Sequence, residues 1–193
     1  MAGAVLRTER LVLRPWRAED RVPFAALNAD PEVCRFFPAA LSRAESDANA
    51  DFLAAQFDLH AYGPWAVEVP GVTPFAGFCG LWDVTQGPVA PAVEIGWRLA
   101  REFWGRGYAT EAARAGLAFG FLEAGLPDVV AFVAPGNRPS RNVMDRIGLV
   151  EDPDGAFDHP RVADGHWLKR HFLYRLKRAA WTPPAVPAYE RLS

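Results

Sequence analysis

The chain has 193 residues, of which 50% are apolar and 23% are charged, and its formal net charge is −2. This length fits one domain, and the composition is ordinary for a globular protein. A nearly balanced charge argues against a nucleic-acid partner, which would require a clustered positive surface. The two cysteines supply neither a disulfide framework nor a paired metal-ligand spacing. No run approaches the ~20 apolar residues of a membrane span. We therefore expect a cytoplasmic protein with no metal and no nucleic-acid or membrane partner.

Apolar periodicity and turn residues predict strands and helices in a mixed order along the chain. The predicted strands are residues 11–14, 65–69, 75–83, 93–99, 129–133 and 168–176. The predicted helices are residues 19–28, a longer helix opened by the capping-box pattern at Ser42 and ended by Gly63, residues 109–124, and residues 140–147. This order predicts an α/β (α+β) fold, a mixed sheet with helices on both faces. The tail after Ala180 contains several prolines and is expected to be a loose arm.

The most informative segment is residues 104–112, Trp-Gly-Arg-Gly-Tyr-Ala-Thr-Glu-Ala, between a predicted strand and a predicted helix. Gly105 and Gly107 allow the backbone to turn and to approach a ligand closely. The start of a helix adds unpaired N–H donors and a partial positive charge, so the segment suits an anion such as pyrophosphate. A plain turn is the alternative interpretation. The dinucleotide fingerprint would need a third glycine where Thr110 stands, and the P-loop sequence is absent.

This segment resembles the acetyl-CoA loop of the GNAT superfamily of N-acetyltransferases, Gln/Arg-x-x-Gly-x-Gly/Ala, over residues 104–109. Trp104 replaces the first Gln/Arg, and the form Trp-Gly-Lys/Arg-Gly-Tyr-Ala-Thr-Glu is typical of the ribosomal-protein-alanine N-acetyltransferase (RimJ/RimL)-like branch. Residues 11–20, 94–99, 137–149 and 169–176 resemble other parts of the same branch. The resemblance implies a GNAT domain over residues 6–178, followed by a proline-containing tail over residues 179–193.

The resemblance also implies where acetyl-CoA binds. The sheet should be mostly antiparallel, with a splayed parallel pair formed by residues 93–99 and 129–133, and the cofactor should lie between these two strands. Its pantetheine arm would pair with one strand as an added strand does. A bulge at Gly96 would open the gap, and close packing is the alternative role of that glycine. The implied cofactor-binding residues are Trp97, Arg98, Leu99, Trp104, Gly105, Arg106, Gly107, Tyr108, Ala109, Thr110, Asn137, Ser140 and Asn142.

Acetyl transfer to an amine requires a base for the ammonium proton and donors for the thioester oxyanion. Glu94 is the candidate base, and a solvent-facing strand glutamate is the alternative interpretation. Ser140 is a second catalytic candidate, and a helix-start hydroxyl is its alternative. Asn137 can alternatively be a turn residue with no role in binding the cofactor. Tyr108 can alternatively serve in packing alone. The predicted surface or structural histidines are His159, His166 and His171.

The implied activity is transfer of an acetyl group from acetyl-CoA to a primary amine. The acceptor is a protein N-terminus or a small molecule, and attack is direct within a ternary complex. Cys34 lies far from the loop in sequence, and Cys79 lies inside an apolar predicted strand where burial would leave its thiol inert, so a covalent acetyl-enzyme is not expected. A non-catalytic acyl-CoA-binding module is the alternative function. The identity of the acceptor and the oligomeric state stay open, with a homodimer as one option.

Overall fold

The computed structural model of the chain describes residues 3–192. The helices are α1 (Arg21–Ala29), α2 (Pro31–Cys34), α3 (Arg43–Leu59), α4 (Tyr108–Leu122) and α5 (Arg138–Arg146). The strands are β1 (Val5–Arg7), β2 (Val12–Arg14), β3 (Pro64–Val69), β4 (Thr73–Val84), β5 (Ala92–Leu99), β6 (Asp128–Val133), β7 (Val150–Asp158), β8 (Arg170–Lys177) and β9 (Glu190–Leu192). Within the described residues, no helix is long and apolar enough to cross a membrane.

The strands of residues 3–192 form one sheet in the order β7-β8-β6-β5-β4-β3-β2-β1-β9. Neighbouring strands in this order are antiparallel except β5 and β6, which run parallel. The predicted mixed, mostly antiparallel sheet with one parallel pair is confirmed.

Helices cover both faces of this sheet, because alternate strand residues are buried in two different directions. On β3, Trp65 joins the core formed with α4, whereas the next residue, Ala66, joins a second core with α1 and α3. Phe119 of α4 packs edge-on against Trp65, with the ring centroids 5.6 Å apart. Phe24 of α1 belongs to the second core and is fully buried. Residues of α4 and α5, which join the first core, and residues of α2 line the candidate site.

Local signals set several helix ends where the sequence predicts them. At the start of α3, the Ser42 hydroxyl accepts a bond from the Glu45 backbone N–H, and the Glu45 carboxylate accepts one from the Ser42 N–H. This is the predicted capping box. Helix α5 begins at Arg138, two residues before the predicted start at Ser140, because the Asn137 side chain serves as its N-cap.

The expectation of a loose C-terminal arm is wrong. Strand β9 pairs with β1, so that Val5 lies opposite Leu192. The Trp181 ring packs on Phe121 of α4, at 5.2 Å between centroids. The prolines interrupt the tail without preventing its aromatic residues from burying apolar surface on α4.

Strands β1, β7 and β9 are missing from the sequence prediction. The first and last have three residues each, which is too short for an alternation to be visible. Strand β7 contains Asp152 and Gly155, and its sequence reads as a turn. The structure accommodates these residues because the pairing with β8 shifts register between Asp152 and Phe157.

The proposed bulge at Gly96 is also wrong. The pairing of β4 with β5 runs without interruption from Gly77 opposite Leu99 to Val84 opposite Ala92. A Cβ atom at Gly96 would lie 2.4 Å from the Trp82 ring. Close packing therefore explains this glycine, since its missing side chain leaves room for the indole of its neighbouring strand.

Candidate active site

The site is built around the divergence of the parallel strands β5 and β6. Their pairing is confined to Glu94 opposite Val130, although β5 continues to Leu99 and β6 to Val133. Parallel strands normally exchange evenly spaced bonds along their length. Beyond Glu94 the two strands therefore part toward their carboxyl ends, which gives the predicted splayed pair and leaves one edge of β5 without a neighbouring strand.

Two adjoining cavities occupy the opening between these strands. The outer cavity has a volume of about 580 Å³ and the inner cavity about 230 Å³. Both are lined by Phe36, Phe37, Trp97, Arg98, Asn137 and Ser140. The shared lining makes them two parts of one cleft, which runs from the start of α4 to the interior beside Glu94.

The outer cavity brings together nearly all of the predicted cofactor residues. Those on its lining are Trp97, Arg98, Leu99, Trp104, Gly105, Gly107, Tyr108, Ala109, Thr110, Asn137, Ser140 and Asn142. Arg106 is the exception, because it is exposed and absent from the lining.

The loop before α4 has the backbone that its glycines predict. Gly105 and Gly107 have φ values of 73° and 81°, in the left-handed region that favours glycine. Gly107 is the N-cap of α4, and no side chain caps the helix there. The first N–H groups of α4 thus lack a side-chain acceptor at the mouth of the outer cavity, where the helix dipole also favours an anion.

Trp104 has a side-chain role that the sequence does not disclose. Its indole Nε1–H donates to the Leu99 carbonyl oxygen at 2.7 Å. This bond ties the first residue of the loop to the end of β5. The indole therefore positions the loop beside the unpaired edge of that strand.

Arg10, in the turn between β1 and β2, is a positioning residue that sequence reasoning missed. Its Nε and backbone N–H donate to the Glu111 carboxylate, at 2.7 and 2.8 Å. Its Nη1 donates to the Arg106 carbonyl oxygen at 2.9 Å, and its guanidinium lies 5.0 Å from the centre of the Tyr108 ring. The Thr8 hydroxyl donates a further bond to Glu111 at 2.6 Å. The contacts fasten the loop and the first turn of α4 to the sheet, nearly a hundred residues away in sequence.

Helix α5 forms the wall opposite the loop. The Asn137 Oδ1 accepts a bond from the Ser140 N–H at 3.2 Å, which fixes the first turn. Asn137 therefore serves as a turn residue at the helix start, and it also lines both cavities. Ser140 does not supply the helix cap. Its hydroxyl lies on the first turn, where the two cavities meet.

Glu94 is partly buried and lines the inner cavity. Burial raises its pKa to about 8. Hydrogen bonding by the Trp82 side chain, directly opposite on β4, lowers this pKa and so offsets part of the rise. Its place on the cavity wall favours a role in the site over the interpretation as a solvent-facing strand glutamate. A carboxylate with this pKa is matched to proton transfer near neutral pH.

Arg98 lies on the same face of β5, four residues further along. Burial lowers its pKa to about 10. Its Nη1 donates to the Asn28 side-chain oxygen, and its guanidinium lies 4.0 Å from the centre of the Phe37 ring. Within residues 3–192 no carboxylate forms an ion pair with it.

His159 and His171 line the inner cavity, although the sequence predicts surface or structural positions for them. Their ring centroids are 4.8 Å apart, and burial lowers the pKa of both imidazoles. His159 directly follows β7, and His171 lies on β8. Residue spacing in the sequence does not reveal that these two strands pair. His166 is structural, as predicted, because its Nδ1 accepts a bond from the Leu168 N–H.

Neither cysteine belongs to the cleft. Cys79 is fully buried in the core, and burial raises its pKa. Cys34 is also buried, donates to the Asn28 carbonyl oxygen at 3.1 Å, and has a raised pKa for the same reason. Both thiols are absent from the lining of the two cavities.

Comparison with known proteins agrees with this geometry. Residues 10–150 match the family described as the acetyltransferase (GNAT) domain. The chain belongs to this family and is an acetyltransferase.

Among its relatives, FsC-acetyl coenzyme A-N(2)-transacetylase of Aspergillus fumigatus is 31% identical over 208 residues, covering 98% of this chain and 83% of the relative. The acetyltransferase from Agrobacterium tumefaciens C58 superimposes with a TM-score of 0.74 at 28% identity, covering 91% of this chain and 95% of that one. RimJ of Mycobacterium smegmatis, solved in complex with CoA-disulfide, shares the fold with a TM-score of 0.68 at 24% identity, covering 90% of this chain and 85% of that one.

The contacts of Arg10 predict a measurable coupling between Arg10 and Glu111. In a double-mutant cycle of Arg10→Met and Glu111→Gln, we expect an interaction free energy of about 1–2 kcal/mol, because several charge-assisted bonds join one pair. The free energy of unfolding in urea measures it.

The matched control is the exposed pair of Arg43 and Asp47 on α3, joined by one bond of 2.8 Å. Its cycle, made with Arg43→Met and Asp47→Asn, should give less than about 0.5 kcal/mol. Equal coupling in the two cycles would show that Arg10 does not hold the loop.

Proposed function

We propose that this acetyltransferase moves an acetyl group from acetyl-CoA to a primary amine by direct attack in a ternary complex. The observation that carries the proposal is the cleft opened by β5 and β6, with the glycine loop at one end and Glu94 at the other. We place the chain in the RimJ/RimL-like branch. The form of its loop supports this, as do structural neighbours such as RimJ of Mycobacterium smegmatis and the ribosomal-protein-S5-alanine acetyltransferase of Vibrio fischeri.

The outer cavity is the proposed acetyl-CoA site. The pantetheine arm runs along the unpaired edge of β5 at Trp97, Arg98 and Leu99, where the main chain holds it as it would an added strand. The pyrophosphate lies against the loop from Trp104 to Thr110, at the uncapped start of α4. Arg106 is exposed, so its side chain supplies charge from outside the cleft.

Asn137 and Asn142 complete this site from the α5 side, where both line the outer cavity. Asn137 bonds the pantetheine amide, and Asn142 contacts the lower end of the cofactor. This arrangement directs the acetyl group toward the inner cavity, since the cleft continues in that direction past Ser140.

In the inner cavity, Glu94 acts as the general base. An amine attacks only when neutral, whereas free α-amines have pKa values near ~7.7–8.0 and lysine-like amines near ~10.4. The ionised Glu94 takes the proton, directly or through water. A backbone N–H of β5 stabilises the thioester oxyanion, and Ser140, where the two cavities meet, donates to the leaving thiolate.

Direct transfer is supported by the position of the two thiols, which both lie outside the lining of the cleft. A covalent route requires a reactive thiolate, and burial keeps both cysteines of the chain protonated. The amine therefore attacks the thioester itself, and CoA leaves in the same addition–elimination sequence.

The first test is the pH dependence of Glu94→Gln. Because burial raises the pKa of Glu94 to about 8 in the free enzyme, the wild-type kcat/KM should rise with pH through about 8 and then level off. The variant should lose this limb, with a deficit of roughly 10²–10⁴-fold above pH 8 that narrows toward pH 6. The exposed Glu102→Gln serves as the control and should keep the wild-type profile. An unchanged profile in Glu94→Gln would remove this residue from the mechanism.

The second test concerns the loop. Gly107→Val places a branched side chain on a residue with φ of 81° at the cavity mouth. It should weaken acetyl-CoA binding at least about tenfold by calorimetry, because it blocks close approach of the backbone to the pyrophosphate.

Gly125→Val is the matched control, since Gly125 has a φ of 68° and follows the other end of α4, outside both cavities. It should lose similar stability and keep the wild-type affinity. Wild-type affinity in a folded Gly107→Val protein would contradict the assignment of this loop to the cofactor.

A further inference from the structure

We propose that the acceptor is a small molecule that carries an acidic group, a carboxylate, beside its primary amine, and that the Arg98 side chain binds this group. The inference rests on the proposed function and names its substrate class. It is carried by the geometry of the inner cavity, in which Glu94 and Arg98 are the charged side chains of opposite sign.

The first step is the charge of Arg98. A guanidinium in a desolvated place is costly unless an anion pairs with it. Its neighbours within residues 3–192 are neutral: the Asn28 amide, the Phe37 ring and the buried Cys34 thiol. The Asn28 side chain accepts a bond from Nη1, and within residues 3–192 the buried Nε has no hydrogen-bond partner. The cation lacks its counter-ion, and it lines the cavity that the acceptor must enter.

The second step is the placement of Arg98 relative to the base. Glu94, Gly96 and Arg98 share one face of β5, and Trp82 covers the space above the glycine. The Cα atoms of Glu94 and Arg98 are about 13 Å apart at the usual rise of a strand. Both side chains line the inner cavity, with the Trp82 indole between them over Gly96. A bound molecule can therefore place its amine toward Glu94 and its acid toward Arg98.

The third step is the size and lining of the cavity. Its volume of about 230 Å³ lies below the usual ~300–1,000 Å³ of ligand pockets. Phe36 reaches across the cleft to Trp167, at 5.9 Å between ring centroids, and packs beside the cluster of Ala134, Val162 and Leu168. Phe78 and Phe132 line the same space. An acceptor that fits is short and has an apolar or flat body.

The same features exclude other amines. A polyamine or an aminoglycoside would bring further positive charges to an unpaired guanidinium in a low-dielectric cavity, which is strongly unfavourable.

The experiment compares acceptors that differ only in the carboxylate. The pairs are phenylalanine with 2-phenylethylamine, leucine with 3-methylbutylamine, and 4-aminobutanoate with propylamine. Spermidine and a short peptide with a free N-terminus are added as controls. Release of the CoA thiol is measured at saturating acetyl-CoA. We expect kcat/KM to be at least about tenfold higher for the carboxylate member of at least one pair, as a charge-assisted bond worth ~1.5–3 kcal/mol implies.

Arg98→Gln should reduce this preference to about twofold or less, and Arg98→Lys should retain part of it. Circular dichroism and the melting temperature report whether each variant folds. The comparison of acceptors with the wild-type enzyme tests the acceptor class even if neither variant folds. A wild-type enzyme that favours the carboxylate-free amines, spermidine or the peptide overturns the acceptor class and leaves the acetyltransferase mechanism standing. A preference for the carboxylate-bearing acceptor that survives in folded Arg98→Gln also overturns the acceptor class. Absence of thiol release with every acceptor overturns the proposed function and the acceptor class with it.

Discussion

The structure of the site depends on one constraint, the confinement of β5–β6 pairing to Glu94 and Val130. Each of these strands is held on its other side by a full antiparallel partner, β5 by β4 and β6 by β8. The gap is therefore a fixed part of the sheet and does not depend on a loop. An open strand edge inside a protein leaves main-chain donors and acceptors without partners, which is unfavourable unless a ligand supplies them. The edge thus favours an extended, amide-rich molecule in the cleft.

Contacts distant in sequence then orient the two ends of this cleft. At the mouth, Arg10 and Trp104 hold the loop against the sheet through the Arg106 and Leu99 carbonyl oxygens. In the interior, Glu94 and Arg98 lose much of their hydration, and burial shifts the pKa of each in the direction that favours the neutral form. The same desolvation brings the pKa of the Glu94 carboxyl close to neutral pH, and within residues 3–192 the Arg98 guanidinium has no carboxylate partner.

Much of the fold could be predicted from local patterns. The central strands, the capping box at Ser42 and the glycine loop before α4 are encoded in neighbouring residues, and the structure confirms them. The missing parts are those that only tertiary contacts define. Strand β1 pairs with β2 and β9, strand β9 pairs with β1, and Arg10 contacts Glu111 across about a hundred residues. The burial of Glu94 and the pairing of His159 with His171 follow from the packing of the sheet, which no periodicity reports.

The central claim is that the open edge of β5 and the loop before α4 together hold acetyl-CoA. Amide hydrogen exchange, measured with and without acetyl-CoA, tests it most directly because it reads the main chain of each segment separately. The account predicts slower exchange at residues 97–99 and 105–110 on addition of acetyl-CoA, with little change in β1, β2 and β9. Protection confined to other segments, with unchanged exchange at both of these, would contradict it.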